Sequence, residues 1–113
     1  MSPPTEAARQ VVLVFCNAPD ADTAGAIARR LVEDGVAACV NVGAPVLSIY
    51  RWKGEVESAD EIPLFIKTTA ARQRAVQETI ARLHPYEVPE IIAVPVTDGL
   101  PAYLDWVRQE TKN

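Results

Sequence analysis

The chain has 113 residues, 49% of them apolar and 23% charged, and a formal net charge of −4. That length suits one domain with a modest core, and the balance of apolar and charged residues is that of a globular chain, not a disordered one. The negative charge, with 11 basic residues scattered and forming no stripe, argues against a nucleic-acid surface. No apolar run approaches the roughly 20 residues that span a bilayer, so no membrane partner is expected.

Residues 1–10, with Pro3 and Pro4, lack the basic start and apolar stretch of a signal peptide and read as a disordered N-terminal segment. Residues 11–113 read as a single cytoplasmic domain. Cys16 and Cys39 have no CxxC spacing, and a reducing compartment keeps both as thiols, with burial the ordinary fate of each.

Residues 11–16 (VVLVFC) form a continuous β-branched and aromatic run, the pattern of a strand covered on both faces, and the run ends on a thiol. Asn17-Ala18-Pro19 turns, and Asp20 or Asp22 caps a helix whose stripe is Ala24, Ile27, Ala28, Leu31 and Val32, stopped by Gly35. Residues 36–42 return to strand composition, and Gly43-Ala44-Pro45 bends or bulges the strand. Residues 46–52 then run to Lys53-Gly54 and turn back through residues 55–57, a long hairpin closed by a two-residue turn. Ser58 to Glu61 reads as a polar interruption before the strand resumes over residues 62–68, with Pro63 implying a bulge or an unpaired position.

The hairpin is long for a small domain, since strands usually run about five or six residues and an isolated ribbon is marginal in water. Tyr50, Trp52 and Val56 near its tip need cover, either from a second copy of the chain or from the arm folding back on its own helices. Thr69 caps a second helix, in which Val76, Ile80 and Leu83 share a face.

Pro85 ends that helix and opens the connector His84-Pro85-Tyr86-Glu87-Val88-Pro89-Glu90. It carries the only histidine. Each proline biases the residue before it away from helix, so His84 and Val88 are expected to be extended and the imidazole held rigidly. Imidazole is both a common metal ligand and a common proton carrier, but a histidine at a helix end serves equally well by bonding free carbonyls. Residues 91–96 read as a short buried strand, and Pro101 opens a last helix with the stripe Leu100, Tyr103, Leu104 and Val107. Trp106 lies partly off that stripe, facing a partner surface.

Strand, helix, strand, strand, helix, strand, helix is the order of an α+β ferredoxin-like βαββαβ antiparallel sheet with its helices on one face, plus a C-terminal helix. With the strand order 4-1-3-2, Cys16 approaches the connector, and the hairpin tip points to the same end of the sheet. Cys16 with His84, joined by Glu90 on proximity, is a candidate set for copper or zinc, short of the four ligands of a closed zinc site. The same pair also suits a nucleophile and its base, but no orienting group or oxyanion hole accompanies it. No GxGxxG or P-loop is present. Lys67, in a strand, is a candidate for an anion or an ordinary surface lysine.

Ala37-Ala38-Cys39-Val40-Asn41, Tyr50-Arg51-Trp52-Lys53-Gly54, Ile66-Lys67-Thr68 and His84-Pro85-Tyr86-Glu87-Val88-Pro89-Glu90-Ile91-Ile92 together resemble the CutA divalent-cation tolerance family over about residues 11–108. The resemblance implies a homotrimer, similar in architecture to the PII signalling proteins, with hairpins reaching onto neighbours. It implies a non-enzymatic role in tolerance of divalent metals, copper above all. It also implies copper ligands at a cysteine ending the first strand and at a His-His pair before Pro-Tyr. Cys16 and His84 match these, whereas Leu83 stands in place of the first histidine. Two functions follow. One is binding of a copper-type ion through Cys16, His84 and Glu90. The other is a PII-like signalling or scaffold module, taking a small anion or a protein at subunit clefts near Tyr50, Trp52, Lys67 and Tyr86.

Overall fold

The computed structural model describes residues 5–112. Strand β1 (Val11–Ala18) leads into helix α1 (Ala21–Glu33), then β2 (Cys39–Val42), β3 (Val46–Trp52) and β4 (Glu55–Thr69). A 3-10 turn (Ala70–Arg72) precedes α2 (Gln73–Leu83), which is followed by β5 (Ile91–Pro95) and α3 (Pro101–Glu110). The sheet order is β2-β4-β1-β5, with every pairing antiparallel and β3 paired only to β4. With β2 and β3 counted as one broken strand, this is the expected ferredoxin-like order.

Alternation along β1 divides the molecule into two layers. Val12, Val14, Cys16 and Ala18 face α1 and α2, in one core with Ile27, Leu31, Leu64, Ile66, Val76 and Ile80. Val11 points the other way and packs with Ala38 and with Val107 of α3. The C-terminal helix therefore covers part of the opposite sheet face. The Asp20 carboxylate caps α1, accepting from the Thr23 N–H at 2.7 Å, and that bond holds its carboxyl below the usual carboxylate range.

Several elements depart from the sequence expectation. Residues 58–61 do not interrupt the hairpin: β4 runs unbroken for 15 residues, because Val46 to Ile49 pair with Glu61 to Ser58 along one edge whatever the side chains. At Pro63 the second of the two expected forms, a locally unpaired position, is the one found. The Pro63 carbonyl accepts from Gly43 N–H, and a strand residue's N–H and C=O share one edge, so the missing donor falls where the chain passes between β2 and β3. Gly43 is needed at that crossing, since a Cβ there would lie 2.9 Å from the Pro63 ring. At the hairpin tip Lys53 and Gly54 both have positive φ (51° and 83°), which is the type I′ requirement.

Thr69 makes no side-chain cap; it leads into the 3-10 turn. Leu83 is exposed, so the stripe of α2 is Val76, Thr79 and Ile80. Strand β5 is an edge strand with only Ile91 and Ala93 against the core, while Ile92 and Val94 are exposed. Leu100 and Tyr103 are also exposed, leaving Val107 as the buried anchor of α3. Met1 to Pro4 of the expected disordered segment lie outside the described residues; from Thr5 the chain makes a hydrogen-bonded turn, and Ala8 and Gln10 carbonyls accept from Ala71 and Ala70. Ile80→Ala is expected to lower unfolding free energy by about 2–5 kcal/mol, as fully buried aliphatic truncations do, read from the denaturant midpoint at fixed protein concentration.

Candidate functional site

The end of β1, the start of β5 and the base of the β3–β4 hairpin meet at one end of the sheet. Asn17 lies at the centre. Its backbone carbonyl accepts from His84 Nε2 at 2.7 Å, and its side-chain Nδ2 donates to Glu90 Oε1 at 3.4 Å. The neighbouring Cys16 thiol also points at that carbonyl, 3.8 Å away. The three residues expected to converge do so, each through Asn17.

The tautomer of His84 follows from its partners. A carbonyl only accepts, so Nε2 carries the hydrogen; the Tyr86 backbone N–H only donates, so Nδ1 accepts it, at 3.2 Å. Both ring nitrogens of this neutral imidazole are thus engaged. The ring is buried and meets Tyr86 edge-on at 4.6 Å between centroids. His84 itself is extended, φ −85° and ψ 132°, as the following proline demands. Its work in the chain is to fasten the connector to the end of β1.

Cys16 is enclosed in the main core, and burial, followed by the negative charges of Glu90 and Glu61, pushes its thiol from 9.0 to about 12. A soft metal requires thiolate and a free imidazole lone pair. Here the thiol keeps its proton and both nitrogens have partners, and among the described residues no three His, Cys, Asp or Glu side chains are grouped to hold a metal ion. The donor set within one chain is not a preformed copper centre.

Beside Asn17 a cleft of about 720 Å³ opens between hairpin and connector, walled by Tyr50, Trp52, Tyr86, Val88 and Pro89 and by Glu57, Glu61, Glu87 and Glu90. Burial, then the charge of Glu61 and its hydrogen bond with the Tyr86 hydroxyl, raise the Tyr86 phenol above its ordinary value. Of the residues expected at a subunit cleft, Tyr50, Trp52 and Tyr86 line this one. Lys67 does not: it lies on the opposite sheet face, where its ammonium meets Asn41 Oδ1 and approaches Cys39 Sγ. Sequence reasoning missed Asn17 and Glu61. The position of Asn17 one residue past Cys16 was a usable signal, whereas the role of Glu61 was hidden in a segment taken for an interruption.

The CutA1 divalent ion tolerance protein family model matches residues 12–110. The chain belongs to that family. It is 45% identical over 99 residues to the divalent-cation tolerance protein CutA of Thermus thermophilus, covering 88% of this chain and 96% of the relative. Protein CutA of mouse is 44% identical over 103 residues, which are 91% of this chain and 58% of that longer protein. Among solved structures, CutA of Xylella fastidiosa superposes with a TM-score of 0.88 at 44% identity, covering 91% of this chain and 99% of its own. The PII-like protein CutA of Nostoc superposes at 0.83 with 40% identity, covering 89% and 97%.

Two measurements check this geometry. His84→Ala is expected to speed amide hydrogen exchange at Tyr86 and to cost about 1–3 kcal/mol, the usual penalty for leaving a buried polar group unpaired. Thiolate is the alkylating species, and a thiol near 12 is ionised at a level on the order of 10⁻⁴ at pH 8. Iodoacetamide is therefore expected to label Cys16 only after unfolding. Because the folded value exceeds the unfolded one, the stability this thiol protects is intact below pH 9 and falls as pH rises from 9 toward 12, a slope that Cys16→Ala removes.

Proposed function

We propose that this protein serves divalent-cation tolerance as a non-catalytic, cytoplasmic homotrimer of PII-like design that takes its ligand in the cleft between hairpin and connector. The observation that carries this reading is the His84 bridge, which joins the end of β1 to the connector that forms one cleft wall. Anything that moves Tyr86 or Glu90 from inside the cleft acts directly on that bridge. Self-assembly is supported by the arm: Leu47, Ile49 and Val56 are each at least 64% exposed on a ribbon with no third strand, and a contiguous apolar surface of that kind marks an interface. No helix among the described residues is long and apolar enough to cross a membrane. One structural relative is described as a periplasmic divalent cation tolerance protein, from Archaeoglobus fulgidus, so compartment is best read from fractionation.

A second reading keeps a copper-type ion as ligand at Cys16, His84 and Glu90, and is favoured by their shared contact with Asn17. Sedimentation is expected to give a particle of three 12.3 kDa chains, which Ile49→Asp splits. Copper and zinc titrations of the reduced protein are expected to show binding weaker than micromolar (about −8 kcal/mol) that Cys16→Ser leaves unchanged. Tighter binding, weakened by both Cys16→Ser and His84→Ala, would establish the second reading.

A further inference from the structure

The cleft walls name the chemistry they accept. Four carboxylates line it and no basic side chain does, so the small anion expected from PII-like architecture is opposed by charge. Glu61 is the deciding residue. It is 8% exposed, and neither ion pair among the described residues includes it: those are Arg30 with Asp34 and Arg108 with Asp105. The Tyr86 phenol, on the same cleft wall, carries no counter-charge for it. Glu61 is therefore a nearly enclosed carboxylate on the cleft wall that no cation among the described residues pairs, and a positively charged ligand would supply the missing counter-charge.

A metal ion does not fit the requirement. It needs several donors within about 2.0–2.6 Å of one point, and among the described residues no three acidic, His or Cys side chains are so grouped. The carboxylates are spread around the walls, interleaved with three aromatic rings. That pattern suits a charge carried on an extended apolar body, with Glu61 meeting the charge and the ring faces meeting the body and the cation together. The cleft, at about 720 Å³, is of the size of small-molecule sites, roughly 300–1,000 Å³. The Trp52 face already attracts an ammonium, since Lys53 Nζ lies 5.6 Å from its centroid at the exposed hairpin tip.

We propose that the cleft binds a small organic cation, an ammonium or guanidinium compound, with Glu61 as its counter-charge and Tyr50, Trp52 and Tyr86 as its walls. This rests on the cleft being the ligand site, and the test separates the two ideas. Three probes sharing one ring but differing in charge, benzylamine, benzyl alcohol and benzoate, are titrated by calorimetry and ligand-observed NMR. The intact oligomer is kept in EDTA to remove metal. The expected result is benzylammonium binding at least tenfold tighter than benzyl alcohol, with benzoate excluded. Glu61→Gln and Trp52→Ala are each expected to weaken the amine at least tenfold at unchanged oligomeric size, with Glu57→Gln as a second charge variant should Glu61→Gln misassemble.

Binding of benzoate or benzyl alcohol that depends on Trp52 and matches the amine would keep the cleft as a ligand site and overturn its preference for cations. Binding of no probe, or binding indifferent to Glu61, Glu57 and Trp52, would overturn both. Amine binding that emerges only in Arg51→Ala or Lys53→Ala would show that a basic side chain of a neighbouring copy fills the cleft, and would overturn the free-ligand proposal.

Discussion

Strand β4 sets the shape of the molecule. Its second half lies between β1 and β2 and carries Leu64 and Ile66 into the main core, while its first seven residues pair with β3 alone. At about 3.3 Å per residue, those seven carry the ribbon more than 20 Å past the sheet, and the chain measures 48 × 25 × 25 Å as a result. Backbone pairing, not side-chain burial, holds this arm: β3 and β4 stay in register from Val46 and Glu61 to Trp52 and Glu55, yet their outer edges have no third strand and their apolar residues have nothing among the described residues to cover them. The cleft exists because the arm overhangs the connector. A shorter hairpin would leave Tyr86 and Glu90 facing open water.

The second constraint is the single carbonyl of Asn17. The imidazole of His84 donates to it, and the same ring's other nitrogen takes up the Tyr86 N–H that the break in helix leaves without an intrahelical partner. Two prolines stiffen the connector, but stiffness alone does not say where it lies; the His84 bridge does. This explains how one imidazole and one thiol lie close together without being a preformed donor set within one chain. Cys16 faces the apolar side of β1, where packing against α1 and α2 favours a neutral thiol, and His84 spends both nitrogens on the backbone.

Much of the fold was legible in the sequence because its signals are local. Periodicity marked α1, the Asp20 cap and the Lys53-Gly54 turn survived intact, and the succession of elements pointed to the split βαβ motif, whose usual strand order is the one found. What failed were inferences from polarity. Ser58 to Glu61 looked like a loop, but on a two-stranded arm both faces are wet and a strand needs no apolar alternation. Leu83 continued the stripe of α2, yet that stripe ends one turn before the helix does, where the connector leaves the core. At the site, topology brought Cys16, His84 and Glu90 together correctly, but which lone pairs stay free depends on tertiary hydrogen bonds that no sequence pattern encodes. Lys67 was expected at a cleft between subunits; within one chain its strand parity, opposite to that of Ile66, puts it on the other face of the sheet from the main core.

Cleft and corner are not separate devices, because two residues belong to both. Glu90 lines the cleft and accepts from the Asn17 amide; Tyr86 lines the cleft with its ring while His84 holds its backbone N–H. The Asn17 to Glu90 bond is long, at 3.4 Å, and joins groups that water can reach, so it is the weaker of the links. A cation bound beside Glu90 would compete with the neutral Asn17 amide for the same carboxylate, bringing a full counter-charge where the amide brings only a dipole. The Asn17 side chain would then be released while its backbone stays in β1, opposite Pro63 of β4 and holding the His84 imidazole. Under the proposed cation binding, occupancy of the cleft would thereby be read at the end of the sheet without any movement of the core.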